Sequence, residues 1–331
     1  MRMRATRRGA WAAAWAAIAA LTVGLPLPAG AQPDWPSKPI RMIVGFAAGG
    51  PTDSFARVVA KKLGEQLGQQ VVVENRAGAN ANVAAEAVAR APADGHTVLY
   101  NSSSIAISAT LYKNLRYDVR KDLVPVSLLM SLPIIMVVNP AFPVTTPQEL
   151  VARLKAEPGR YNYASGGAGN AQHLGMAMVM QRFGTAANHI PYKGSSAAYI
   201  DLLGGRVEFM IDAAGSLAPY VKDGRLRPIA ALSEQRLPEH PNLPTMAESG
   251  MPGFELEGWY GVMVPARTPQ AIVQRLHAEL SKAMNSDELK AALATQGGRP
   301  LVSTPQQYQS YLEAEISRYG KVIGDLDIKA E

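Results

Sequence analysis

The chain has 331 residues, 47% of them hydrophobic and 18% charged, with no cysteine and a formal net charge of +6. The cysteine count excludes a disulfide framework and thiol chemistry, and the length allows large ordinary cores, two at the usual domain size. No Lys/Arg block or aromatic–basic alternation is present to track a nucleic-acid backbone, so a nucleic-acid partner is not expected.

Residues 1–31 read as an export signal. Arg2, Arg4, Arg7 and Arg8 form a basic start, Ala10–Leu25 an apolar stretch, and Ala29-Gly30-Ala31 a small-residue cleavage site, so cleavage is expected after Ala31. The apolar stretch is shorter than the ~20 residues of a membrane span and ends in Pro26 and Pro28. Removal leaves 300 residues with a balance of +2. With no cysteine to carry lipid, the remaining chain is expected to be soluble and unanchored, in the periplasm, and Thr6-Arg7-Arg8 leaves both common export routes open.

Strand-like and helix-like runs then alternate, as in α/β layers with mainly parallel sheets. The strand Ile40–Val44 stops at Gly45-Phe46-Ala47-Ala48-Gly49-Gly50, and a helix follows whose Phe55, Val59, Leu63 and Leu67 repeat every four residues. Thr52 or Asp53 is expected to cap its start, and Gly68 follows its end. Strands at Gln70–Val73 and Thr97–Tyr100 flank a helix from about Asn80 to Arg90. A long apolar run, Leu128–Val138, is interrupted by Pro133.

A second β/α series begins with a helix near Pro147–Lys155 and the strand Tyr161–Ala164, which ends at Ser165-Gly166-Gly167-Ala168-Gly169 before a helix near His173–Gln181. It continues with strand His189–Pro191, helix Ser196–Leu203, strand Val207–Ile211, helix Ser216–Asp223 and strand Leu226–Ala231. Trp259–Val264 reads as a strand returning to the first unit, followed by helices at Pro269–Asn285 and Pro305–Tyr319. The expected fold is therefore two doubly wound lobes joined by a two-strand hinge. One lobe comprises residues 32–132 with 258–331, the other 133–257, and the ligand cleft lies between them.

Several chemistries fall away. The first glycine turn has P-loop spacing but places Pro51 where the phosphate lysine belongs, and the second has Gln172 where a dinucleotide turn needs glycine, so no cofactor is expected. The five histidines have no metal-ligand spacing. Ser165 lacks the first glycine of a nucleophile elbow and no base can be nominated for it. An exported hydrolase using Ser165 stands as the alternative to a binding function.

What remains is anion capture by backbone N–H groups. Two glycine turns, each opening a helix, present free donors and the positive end of a helix dipole. Four or five such donors, after ordering and desolvation, leave about 8 kcal/mol, which is micromolar affinity. The bland reading, tight β–α turns and nothing more, weighs against this for one loop and less for a pair.

The motifs Trp35-Pro36-Ser37-Lys38-Pro39-Ile40-Arg41, Gly49-Gly50-Pro51-Thr52-Asp53 and Val73-Glu74-Asn75-Arg76-Ala77-Gly78 are similar to the opening of the periplasmic receptors of tripartite tricarboxylate transporters, the Bug family. Tyr163-Ala164-Ser165-Gly166, Pro191-Tyr192-Lys193-Gly194, Leu243-Pro244-Thr245 and Trp259-Tyr260-Gly261 extend the resemblance along the chain. It implies a Venus-flytrap protein of the periplasmic binding protein type II class, a monomer that captures a small carboxylate and passes it to inner-membrane permease subunits. A sensor component that delivers its ligand to a signalling partner needs the same cleft.

The resemblance places the ligand carboxylate at loops matching Phe46–Asp53 and Ser165–His173. Candidate contacts are thus Phe46, Gly49, Gly50, Thr52, Asp53, Ser165, Gly166, Gly169, Asn170 and His173, with His173 equally able to cap its own turn. Ser102 and Ser104 stand at the distal end, in a segment where the family commonly carries histidine and asparagine. Asp212 either receives a ligand ammonium or hydroxyl or caps the next helix, so amino, hydroxy and aromatic acids all stay open.

Overall fold

The structure, a computed structural model, describes residues 35–325 and Ile328; the expected export signal lies outside the described residues. The order begins β1 (Ile40–Val44), α1 (Pro51–Leu67), β2 (Val71–Asn75), α2 (Asn82–Ala89), β3 (Thr97–Ser102), α3 (Ser104–Leu111), α4 (Val119–Asp122) and β4 (Leu123–Val138). It continues α5 (Pro147–Ala156), β5 (Asn162–Ser165), α6 (Ala171–Phe183), β6 (Asn188–Pro191), α7 (Ser195–Leu203), β7 (Phe209–Ala213), α8 (Ala214–Lys222) and β8 (Arg227–Ala231). It closes with β9 (Glu257–Pro265), α9 (Gln270–Met284), α10 (Asp287–Ala294), β10 (Arg299–Pro300) and α11 (Pro305–Asp325).

The strands lie in the order β2-β1-β3-β9-β4-β7-β5-β6, with β8 and β10 pairing β4 off that path. Pairing is parallel within β2-β1-β3 and within β7-β5-β6, while β9 and β4 run antiparallel to their neighbours. Each parallel triplet is the β/α half of one lobe, and β4 is common to both. It pairs β9 as far as Pro133↔Glu257, then β7 from Ile134↔Ala213. Pro133 therefore does not interrupt the strand: its missing N–H falls where the ladder changes partner and costs least.

Burial follows the sequence pattern. Phe55, Val59 and Leu63 on α1 are buried, as their four-residue spacing requires. One core gathers around Trp259, Tyr308 and Leu312 and includes Ala171 and Leu174 from α6, so the second lobe contributes to the first lobe's core. Two others, around Phe209 with Tyr163 and around Tyr199 with Leu202, fill the faces of the second triplet.

The starts of several helices differ from expectation. α1 begins at Pro51 with Gly50 as its N-cap and no side-chain cap, because the fixed φ of proline suits the first helical position. Thr52 and Asp53 consequently lie inside the first turn. α2 begins at Asn82 rather than Asn80, since Ala79, Asn80 and Ala81 take left-handed φ values of 45°, 52° and 70° in a preceding 3-10 turn. α3 carries no amphipathic signal because Ser104, Ile105, Ala106, Ile107, Ser108 and Leu111 are all buried.

Candidate functional site

The N-termini of five helices meet at one cavity of about 60 Å³. Gly50, Pro51 and Thr52 bring the start of α1, Ser103 and Ser104 that of α3, and Asn170, Ala171 and Gln172 that of α6. Ser195 opens α7, and Asp212 with Ala213 leads into α8. Phe46, Ser102, Ile134, Gly166, Gly258 and Tyr260 complete the wall. No lysine, arginine or histidine is among the described residues lining it. Five dipole ends face a chamber with no side-chain cation and one acidic side chain, Asp212, and each partly buried N-terminus is worth up to ~2 kcal/mol toward an anion.

The first loop is held from behind. Gly49 adopts φ +84°, and its N–H donates to Asp53 Oδ2 at 3.0 Å. Arg57 Nη2 and Asn75 Nδ2 each donate to Asp53 Oδ1 at 2.9 Å, and the same Asn75 amide reaches the Phe46 carbonyl. Burial pushes the Asp53 carboxyl up, but the Arg57, Gly49 and Asn75 hydrogen bonds outweigh it and hold the pKa below the usual value. Gly49 and Asp53 thus shape the loop and do not line the chamber.

The second loop is built from amides. Asn170 Oδ1 caps α6 by accepting from the His173 N–H at 2.9 Å. The Gln172 side-chain oxygen accepts from the Gly166 N–H and from Asn170 Nδ2, while its amide donates to Ser195 Oγ at 3.1 Å. His173 takes the capping role: its Nδ1 accepts from the Gly169 N–H at 3.0 Å, and its ring stacks on His189 at 3.9 Å. Gly169 and His173 support the loop from outside the chamber.

Ser165 is fully buried, its Oγ 2.7 Å from His189 Nε2 and hydrogen-bonded to the Gly167 carbonyl. Parallel pairing of β5 with β6, which places His189 opposite Tyr163, supplies a partner that no local spacing announces. Burial, with the neighbouring His173 second, pushes His189 down to about 3 from 6.5, so its imidazole is neutral in the folded state. The unfolded chain binds the extra proton first. Stability is therefore full above about pH 6.5 and falls as pH drops from there toward 3. Unfolding titrations at pH 7 and pH 4.5 are expected to show this loss, and His189→Gln is expected to shrink it; an unchanged loss in the variant contradicts the assignment.

Across the chamber, the Ser103 N–H donates to the Trp259 carbonyl at 3.1 Å, and the Ser104 N–H points to Ser102 Oγ at 3.4 Å. Asp212 is 4% exposed, with Oδ2 accepting from Tyr199 Oη at 2.7 Å and Oδ1 from the Ala213 N–H at 2.8 Å. Burial raises its pKa against the pull of hydrogen bonds from Ser195, Tyr199, Ala213 and Gln172.

The lobes close over the chamber through the Ala47 N–H to the Lys193 carbonyl at 3.1 Å and Ser196 Oγ to the Ala48 carbonyl at 3.0 Å. Asn80 Nδ2 to the Gly169 carbonyl at 2.8 Å closes the other side. Gly194, at φ +137°, permits this approach, since a Cβ there would stand 3.1 Å from the Ala47 nitrogen.

Of the residues singled out from sequence, Phe46, Gly50, Thr52, Ser102, Ser104, Gly166, Asn170 and Asp212 line the chamber, while Gly49, Asp53, Ser165, Gly169 and His173 lie behind it. Gln172, inside the expected loop Ser165–His173 but not singled out as a contact, also lines it, and Ser195 and Tyr260 line it unanticipated. Ser195 had a signal, a glycine followed by serine at a helix start; Tyr260, inside a hydrophobic strand, had none. Among the described residues no helix is long and apolar enough to cross a membrane, and no group of three acidic or histidine side chains is placed to hold a metal.

Residues 55–328 match the family described as "Tripartite tricarboxylate transporter family receptor". Protein BugT of Bordetella pertussis is 39% identical over 310 residues, covering 93% of this chain and 95% of that one. Among solved structures, Rpa4515 of R. palustris with adipate superposes with a TM-score of 0.86 at 34% identity, covering 89% of this chain and 99% of that chain. MatC of Rhodopseudomonas palustris with bound malate gives 0.82 at 29% identity, covering 87% and 100%.

Proposed function

The chain belongs to the tripartite tricarboxylate transporter receptor family, the Bug receptors, and on that premise we propose that it captures a small carboxylate in the periplasm and delivers it to an inner-membrane permease. The observation that carries the reading is the convergence of five helix N-termini on a chamber without side-chain cations. A carboxylate there replaces water with aligned N–H donors on both lobes, and its binding favours the closed form. Phe46–Thr52 and Gly166–Gln172 form the two jaws, with Gly49, Asp53, Ser165, Gly169 and His173 holding them in shape.

On this reading residues 1–31 are removed on export, and the lobes are residues 32–132 with 258–331 and residues 133–257. The relatives solved with adipate and malate support a carboxylate as the cargo. A hydrolase is disfavoured because the Ser165 hydroxyl is buried away from the chamber.

Isothermal titration of the chain lacking residues 1–31 against dicarboxylic, hydroxy, amino and aromatic acids tests the proposal. One-site binding near micromolar Kd is expected for at least one class, with no turnover of activated esters. Silence across all four classes, or ester turnover lost in Ser165→Ala, overturns it.

A further inference from the structure

The walls of the chamber are not alike. Around Asp212, the protons of neighbouring side chains are already committed to its carboxylate: Tyr199 Oη donates to Oδ2 at 2.7 Å, and the Ala213 N–H donates to Oδ1 at 2.8 Å. Ser195 and Gln172 also hydrogen-bond to it, and Ser195 Oγ in turn accepts from Gln172 Nε2 at 3.1 Å. This wall therefore offers a ligand mainly lone pairs, those of the carboxylate and of a serine hydroxyl whose proton is spoken for. Asp212 is 4% exposed and lines the chamber, where no described lysine, arginine or histidine neutralises it.

The opposite character holds at the starts of α1 and α3, where no N-cap side chain caps the first-turn N–H groups, while the start of α6 has one such cap, Asn170. A second unsubstituted carboxylate against Asp212 would set two anions in a low-dielectric space, which repel strongly. A hydroxyl or ammonium there instead gives the carboxylate a donor, and buried hydrogen bonds to charged acceptors discriminate sharply against analogues that lack them.

We propose that Asp212 is a specificity-determining residue that selects acids carrying a hydrogen-bond donor, a hydroxyl or protonated amine, beside the captured carboxylate. The inference rests on the carboxylate-receptor reading and sharpens it to hydroxy and amino acids. The volume of about 60 Å³ further favours short ones, since it matches about four to six water-sized groups at the usual 10–15 Å³ each.

Calorimetry with matched pairs tests it: malate and aspartate against succinate, and lactate against propionate. The donor-bearing member is expected to bind at least tenfold more tightly to the wild-type chain. In Asp212→Asn the ammonium preference is expected to vanish and the hydroxyl preference to fall below about threefold, with the unsubstituted acid held as before or better. Tyr199→Phe frees a lone pair on Oδ2 and is expected to keep or raise the preference; it is the second variant should Asp212→Asn unfold. Equal binding of succinate and malate by the wild type, an undiminished preference in Asp212→Asn, or a preference abolished by Tyr199→Phe overturns the assignment. Silence from every acid overturns the receptor reading itself, a distinct result from binding without discrimination.

Discussion

Gly166→Asp is expected to abolish acid binding, with an affinity loss of at least 100-fold, while leaving the protein folded. A Cβ at Gly166 lies 3.2 Å from Asn170 Nδ2, 3.2 Å from Gln172 Oε1 and 3.3 Å from the Ser195 nitrogen, so a side chain there begins inside the chamber wall. An aspartate at this position is a tethered copy of the cargo's own anionic group. A short tether holds it at an effective concentration of about millimolar or above, which outcompetes a micromolar ligand. The same N-termini that would hold the free acid now stabilise the substituted side chain. Gly166→Asn has nearly the same volume without the charge and supplies the control, with a smaller affinity loss and a lower unfolding temperature than the aspartate variant. Calorimetry and thermal unfolding read both quantities. Equal losses in the two variants would mean that only space was taken away, and the electrostatic account of the chamber would fall.

Trp259→Ala is expected to cost about 3–5 kcal/mol of stability. The indole is 1% exposed, meets Tyr308 and Tyr311 edge-on at 6.0 and 5.5 Å, and donates from Nε1 to Glu315 Oε2 at 2.8 Å. Its removal opens a void in a core shared by β9, α11 and residues of α6. Glu315 keeps its Arg318 partner at 2.7 and 2.8 Å, so the main loss is packing and not an isolated charge. At about 2–4 °C per kcal/mol for a chain of this size, the unfolding midpoint is expected to fall by roughly 10 °C. Some affinity should go with it, because the Trp259 carbonyl receives the Ser103 N–H that fixes the start of α3 on the chamber. A midpoint shift under about 3 °C contradicts this picture of the core.

These two residues also mark what the amino-acid order made legible. Gly166 stood out because strand, glycine turn and helix follow one another within a few positions, and local chemistry alone dictates such a unit. The same logic located Phe46–Thr52 and the α1 stripe. It did not separate contact from support: Asp53 and His173 carry attractive chemistry, yet the fold turns both onto loop backbone at Gly49 and Gly169. Asp53 is drawn there because Arg57 lies one helical turn on and Asn75 arrives from β2.

Long-range pairing hid the rest. The Ser165–His189 contact depends on β5 and β6 lying side by side, and Tyr260 reaches the chamber only because β9 crosses between β3 and β4. α3 escaped notice since a helix with only Thr110 exposed has almost no polar face to give it period. β4 escaped as a continuous strand because Pro133 argued against it, and only the change of partner after that residue makes it tolerable.

The most direct measurement of the central claim is a crystal structure of the chain with its tightest-binding acid. The account predicts the acid's carboxylate oxygens about 3 Å from backbone N–H groups at the starts of α1 and α6, with the lobes closed around them. A carboxylate held by lysine or arginine side chains, or one seated outside the chamber, would contradict it.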